Sequence, residues 1–382
     1  MVRKIMKTAA VLLLAVSVGI GMSTPQVSAA VRSDRTARSA RYIEPEEWNQ
    51  SEIMAYQFDS ETDFENYALS GGTHLYNKNY KGNDHFVKIK VVDPGILNVQ
   101  VTSEGKEKIP LYDASKKKVL IKDLEDANDT EGYVKQVQAG DEFYVKLPQK
   151  ISKVLILAGV YKDGFTSMTQ KETYYTVGKG TKTYHTFKIT KRAEAEFNIW
   201  SAYKKDENIS VAVEKYTDGK WTKVGSTAKV KSKAGEDEYV GYGLQKGKYR
   251  LVLTIPKGQI IAAFYTQHGM TKDTSYKKSK AKNVKDVRED IYTEEESAPR
   301  WYKVNVKSSK KKRELWLTKE SVGGGFKFSI YKDGQKKAIK TVKATKGETF
   351  IVPLKKKGTY YIKVSKLTKK TNGRYIIENY EN

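Results

Sequence analysis

Apolar and polar residues alternate along most of this chain with a period of two, and the alternating runs come in three sets. The first opens His85-Phe86-Val87-Lys88-Ile89-Lys90-Val91, the second His185-Thr186-Phe187-Lys188-Ile189, and the third Arg300-Trp301-Tyr302-Lys303-Val304-Asn305-Val306. Each set has a later strand that follows a glycine: Phe143, Val145 and Leu147; Tyr249, Leu251 and Leu253; Tyr360, Ile362 and Val364. A period of two sends one face of a strand into a core and the other into water. The intervening residues, Glu142 and Lys146, Lys248 and Arg250, Lys363 and Ser365, are the expected wet faces. Final strands are predicted at 154–161, 260–265 and 374–377.

Turn residues punctuate these runs. Thr217-Asp218-Gly219 follows Ile209, Val211 and Val213, and Lys332-Asp333-Gly334 follows Phe326, Phe328 and Ile330. Asp-Gly between alternating strands predicts a two-residue hairpin with positive φ at both central residues. In both sets that glycine falls 34 residues after the opening residue, whereas the first set has Tyr112-Asp113-Ala114, closer and without glycine. The openings lie 100 and 115 residues apart, too far for a solenoid repeat and suited to separate domains. The pattern predicts an all-β chain of three tandem antiparallel β-sandwiches, over 67–165, 170–268 and 275–382. Residues 30–66 contain few apolar pairs and are expected to be partly disordered or draped on the first sandwich.

The N-terminus changes the expected compartment. Arg3, Lys4 and Lys7 precede an apolar stretch from Ala9 to Ile20 and a small-residue site at Val27-Ser28-Ala29. This is the layout of a signal peptide over residues 1–29. The apolar stretch is short for a membrane span, so no transmembrane anchor is expected. The chain has no cysteine, which removes disulfides and thiolate chemistry. Export without disulfides fits a Gram-positive bacterium, with the protein extracellular and held non-covalently at the cell wall. No Leu-Pro-x-Thr-Gly sorting motif is present.

Charge narrows the partners. With 70 Lys and Arg against 45 Asp and Glu, the net charge is +25. Such a surface attracts polyanions. The expected partners are a cell-wall polyanion or glycan, or a secreted protein. Specific nucleic-acid binding is not expected, because no recognised binding motif accompanies the charge.

The third set carries a resemblance. Trp301-Tyr302-Lys303-Val304, the segment Phe328-Ser329-Ile330-Tyr331-Lys332-Asp333-Gly334, the strand Gly358-Thr359-Tyr360-Tyr361-Ile362-Lys363-Val364 and the lead-in Ser279-Lys280-Ala281-Lys282-Asn283-Val284 resemble the bacterial pre-peptidase C-terminal domain. The likeness is clearest for residues 275–382. It implies a jelly-roll-like β-sandwich that serves as an accessory or binding module, usually beside a catalytic domain. This chain departs from that arrangement, since no peptidase sequence precedes its modules.

Catalytic chemistry is not expected. The four histidines, His74, His85, His185 and His268, form no His-Glu-x-x-His pair. There is no Gly-x-Ser-x-Gly elbow. His85, His185 and Arg300 share one slot in the three sets and read as strand-entry residues near a turn. No cofactor is expected. Asp123, Glu125, Asp126 and Asp129 supply oxygen ligands suited to Ca²⁺. Their spacing fails the EF-hand pattern, with Gly132 one place late and no closing Glu, and a solvated acidic loop is the favoured reading.

Two kinds of residue are candidate contacts. Lys310, Lys311, Lys312 and Arg313, with Lys355, Lys356 and Lys357, either make one cationic edge for phosphate or sulfate groups or are simply solvated turns. Tyr144 and Tyr361 point away from the core by alternation, and Trp221 follows a hairpin turn. Aromatics so placed either stack on sugar rings or cover a sandwich edge. The reading is a secreted, non-catalytic binding or adhesion protein for anionic or glycan surfaces. The alternative is an accessory or protein-interaction subunit of a separate secreted hydrolase.

Overall fold

The structure is a computed structural model that describes residues 41–43, 52–58, 74–77, 85–103, 107–124, 132–147, 153–202, 207–232, 238–270, 274–308, 313–345 and 347–381. It divides into two compact units, residues 1–163 and 164–382. The first unit holds one sandwich and the second holds two. Among the described residues no helix is long and apolar enough to cross a membrane.

The first sandwich uses β1 (Arg41–Ile43), β2 (Glu52–Ala55), β3 (Gln57–Phe58), β4 (His74–Asn77), β5 (His85–Val91), β6 (Gly95–Ser103), β7 (Leu111–Asp113), β8 (Val119–Ile121), β9 (Tyr133–Val137), β10 (Glu142–Leu147) and β11 (Lys153–Tyr161). The second uses β12 (Glu172–Val177), β13 (Lys182–Ile189), β14 (Ala193–Ser201), β15 (Glu207–Thr217), β16 (Lys220–Ser232), β17 (Glu238–Leu244), β18 (Gly247–Thr254) and β19 (Ile260–Gly269). The third uses β20 (Lys282–Asn283), β21 (Val287–Tyr292), β22 (Arg300–Val306), β23 (Arg313–Gly323), β24 (Phe326–Lys332), β25 (Lys340–Ala344), β26 (Thr349–Pro353), β27 (Gly358–Lys366) and β28 (Asn372–Glu381).

All three share one topology. The two sheets of the second sandwich run β12-β19-β14-β17 and β13-β18-β15-β16. Those of the third run β21-β28-β23-β26 and β22-β27-β24-β25, and those of the first contain β4-β11-β6-β9 and β5-β10-β7-β8. Numbered within each domain, the orders are 1-8-3-6 and 2-7-4-5, which is the eight-stranded jelly roll. A short parallel pairing is added beside the second strand each time: β2 on β5, β20 on β22, and a bridge from Ser167 to Thr186 on β13.

The alternation places the cores as predicted. Phe143, Val145 and Leu147, Tyr249, Leu251 and Leu253, and Tyr360, Ile362 and Val364 are all buried, each triplet in its own hydrophobic cluster. Burying an aliphatic or aromatic side chain stabilises by roughly 1.5–3 kcal/mol, so these rows hold each sandwich without disulfides.

Three expectations need correction. Residues 52–58 belong to the first sandwich: β2 extends one sheet, β3 pairs with β11 in the other, and Ile53 and Ala55 join the core. The second sandwich begins before residue 170, because Met168 is buried in its core and Phe165 packs against it. The two Asp-Gly turns also differ. Asp218 and Gly219 have φ of 50° and 79°, and β15 pairs β16 directly across them. At the second site only Gly334 has positive φ, and the chain runs on to Lys340 before β25 begins.

Arg300 opens β22 as expected, whereas His185 stands three residues into β13, and both are buried. His185 is 2% exposed and Arg300 is fully buried. The His185 ring stacks on Phe165 at 3.8 Å, and its Nδ1–H donates to the Phe165 carbonyl at 2.5 Å while Nε2 accepts from Thr183 Oγ1 at 2.8 Å. Burial lowers its pKa to about 4, so the ring is neutral at ordinary pH.

Candidate binding faces

Tyr144, Trp221 and Tyr361 lie on the outer face of the corresponding sheet in the three jelly rolls. In the first, Tyr144 on β10 is in register with Tyr112 on β7. Phe86 on β5 meets both, with ring centroids 5.6 Å from Tyr112 and 6.4 Å from Tyr144. The Lys116 ammonium stands 4.4 Å over Tyr144 and 5.1 Å over Phe86. Beside them Lys88 bridges Glu142 at 2.6 Å and Glu52 at 3.4 Å. The Glu142 hydrogen bond raises the Lys88 pKa, and Lys88 lowers that of Glu142.

The third jelly roll repeats the design. Tyr361 on β27 is in register with Tyr331 on β24, and Trp301 on β22 lies 5.4 Å from Tyr331. The Lys278 ammonium stands 4.7 Å over Tyr361 and 5.7 Å over Tyr331, and Lys363 stands 5.6 Å over Trp301. Ring faces are electron-rich, so an ammonium is attracted there without losing its water on the open side.

The second jelly roll varies it. Arg250 and Glu214 occupy the register positions that hold the two tyrosines elsewhere. The Arg250 guanidinium lies between Tyr184 at 4.1 Å and Trp221 at 4.4 Å, and it pairs with Glu214 at 2.5 Å. Trp221 packs against Tyr216 at 5.0 Å. Tyr184 and Tyr216 stay 46% and 42% exposed, so broad aromatic surface still faces water.

The basic runs fare differently. Lys355, Lys356 and Lys357 are exposed in the turn before β27. Arg313 is tied to Glu381 and donates to Asn379 Oδ1 at 3.4 Å, so it is no free cation. Its carbonyl accepts from Leu354 N–H at 2.8 Å, which sets the lysine turn beside it. Lys310, Lys311 and Lys312 lie outside the described residues, as do Glu125, Asp126 and Asp129. Asp123 Oδ1 accepts from Ile109 N–H at 3.4 Å.

Sequence reasoning missed the seam between the second and third jelly rolls. Arg192 of the second reaches Asp290 at 2.9 Å and Glu296 at 3.3 Å in the third. These two carboxylates also hold Arg300, each at 2.8 Å. In the other direction, Arg374 of the third meets the fully buried Glu194 at 3.1 Å, which also accepts from Tyr239 O–H at 2.5 Å. Asn372 exchanges two hydrogen bonds with the Gly243 backbone, at 2.8 and 2.7 Å. A Cβ on Gly243 would fall 2.5 Å from the Tyr292 carbonyl oxygen, so the close approach requires glycine. Burial raises the Glu194 pKa to about 7 against the pull of Arg374 and Tyr239. Glu296 moves the other way, to about 2, because Arg300 and Arg192 outweigh the cost of burial. No sequence signal marks these partners across the seam, which stand from 98 to 180 positions apart.

No family model matches the chain, and no curated protein matches it. Among solved structures, tripeptidyl peptidase 2 aligns at TM-score 0.23 and 10% identity, over 79% of this chain and 32% of the peptidase chain. The triple jelly roll of an archaeal virus turret aligns at TM-score 0.17 and 7% identity, over 80% and 83%. The tandem CBM22 domains of Paenibacillus barcinonensis Xyn10C align at TM-score 0.19 and 9% identity, over 77% and 99%. This chain thus spans about a third of the peptidase's length. Overlaps this weak carry no functional argument, and the fold rests on the strand order given above.

Proposed function

We propose that this is a secreted, non-catalytic protein that holds anionic glycan surfaces through the outer faces of its jelly rolls. The observation that carries the reading is the recurrence of an aromatic cluster with basic side chains on its rings, on the outer face of the corresponding sheet in all three domains. Isolated exposed aromatics need no explanation, but clusters that recur on the corresponding sheet of each domain do. Rings offer flat apolar surface to the C–H face of a sugar. The lysines above them offer charge to its phosphate, sulfate or carboxylate groups. Tandem domains multiply weak contacts into firm attachment. The pre-peptidase-like character of residues 275–382 belongs to the same proposal, as a module that attaches and does not cleave.

The test is binding of the purified chain to isolated Gram-positive walls, with and without teichoic acid, across a salt series. Binding that needs the polyanion and weakens without vanishing at high salt supports stacking and charge together. Absence of binding at every salt rejects the reading and favours a protein partner.

A further inference from the structure

The two outer faces of the third jelly roll carry the same side-chain layout with opposite charge. On β22 and β27, Trp301 is in register with Lys363, and Lys303 with Tyr361. On β23 and β28, Trp316 is in register with Glu378, and Glu314 with Tyr380. Each is a square of one tryptophan, one tyrosine and two like charges on the diagonal. Strand spacing fixes the side of both squares, so their dimensions agree.

The acidic square is built and open. The Trp316 and Tyr380 rings lie 4.6 Å apart, Trp316 Nε1–H donates to Glu314 at 3.3 Å, and Tyr380 O–H donates to Glu378 at 2.9 Å. Its row continues to Ile351 on β26 and Val287 on β21, which are 51% and 52% exposed. Tyr380 is 40% exposed. The seam with the second jelly roll takes the other end of this sheet, at Arg374 and Glu320. An acidic, apolar face stands against the composition of a chain with net charge +25. Apolar residues ringed by charge at a sheet surface are the composition of a contact site.

We propose that this face docks the β22-β27-β24 face of a second copy of the chain. Lysines then meet glutamates across the contact, and the aromatic rings and the exposed Ile351 and Val287 leave water. The two faces are on opposite sides of one domain, so the contact is heterologous and extends head to tail instead of closing as a two-fold dimer. The inference does not need the glycan reading, although a polyanion bound at Lys303 and Lys363 would compete with the second copy.

Sedimentation velocity of the purified chain over a concentration series at low salt tests the proposal. The average mass should rise with concentration and fall back at high salt. Glu314→Lys with Glu378→Lys, or Lys303→Glu with Lys363→Glu, should each raise the self-dissociation constant at least about tenfold. An equimolar mixture of the two variants should associate again. A single mass at every concentration in low salt overturns the proposal. So does association indifferent to both charge swaps, or a mixture that stays apart. If a swap variant does not fold, Glu314→Gln with Glu378→Gln replaces it and should still weaken association. Loss of wall binding with self-association intact would count against the glycan reading alone.

Discussion

The seam between the second and third jelly rolls and the outer faces of the sheets use the same residue types to opposite ends. In the seam, Arg192, Arg300 and Arg374 are largely withdrawn from water and each meets two or more carboxylates. On the first and third outer faces, Lys116 and Lys278 stand over tyrosine rings with their charge turned outward. A buried charge held by facing carboxylates is part of the scaffold, because removing one partner strands the other. A solvated ammonium over a ring costs little to redirect, so it is available to a ligand. The seam should therefore govern stability and the faces should govern binding.

The largest effect should come from breaking the seam. Arg300→Ala leaves Asp290 and Glu296 facing only Arg192 and should destabilise the second unit by about 3–5 kcal/mol, read by denaturant unfolding. Gly243→Ala should cost about 2–3 kcal/mol through the clash with the Tyr292 carbonyl.

Next in size is a pH effect. Glu194 has a folded pKa of about 7 and an ordinary one of 4.5, so the folded state holds its proton more tightly than the unfolded state. Its contribution is greatest below about 4.5 and is lost as pH rises through 7. His185 and Glu296, both lowered, run the other way: their contributions fade as pH falls from 6.5 towards 4 and from 4.5 towards 2. The Glu194 effect is isolated by difference. The stability of the protein minus that of Glu194→Gln should decline between pH 5 and 8, and a flat difference would remove this account of the seam.

The smallest effects on stability should fall on the faces. Tyr361→Ala should shift unfolding by less than about 1 kcal/mol yet weaken glycan binding about threefold to tenfold. Lys278→Ala should weaken it about twofold to fivefold and flatten its salt dependence.

Alternation made the strands and cores legible, because inward positions such as Phe143, Tyr249 and Tyr360 repeat at a fixed phase. It also sent Tyr144 and Tyr361 outward. The clusters around them were not legible, since Tyr112 and Tyr331 reach their partners through strand register, which no local pattern encodes. β2 and β3 were too short to show a period, and they sit ahead of the first repeated strand. The seam was hidden for a simpler reason. A buried arginine and a solvated one look alike in sequence, and Arg300, read only as a strand-entry residue, proves to be held by two carboxylates and by the Tyr292 ring at 3.8 Å.

The most direct measurement compares the intact chain with the triple variant Tyr144→Ala, Trp221→Ala and Tyr361→Ala for binding to purified teichoic acid, with unfolding of both followed in parallel. The account predicts unfolding changed by no more than about 1–2 kcal/mol and binding lost by tenfold or more. Binding that stays intact in a folded variant would contradict it, and would leave the aromatic faces as covers for the sandwich edges.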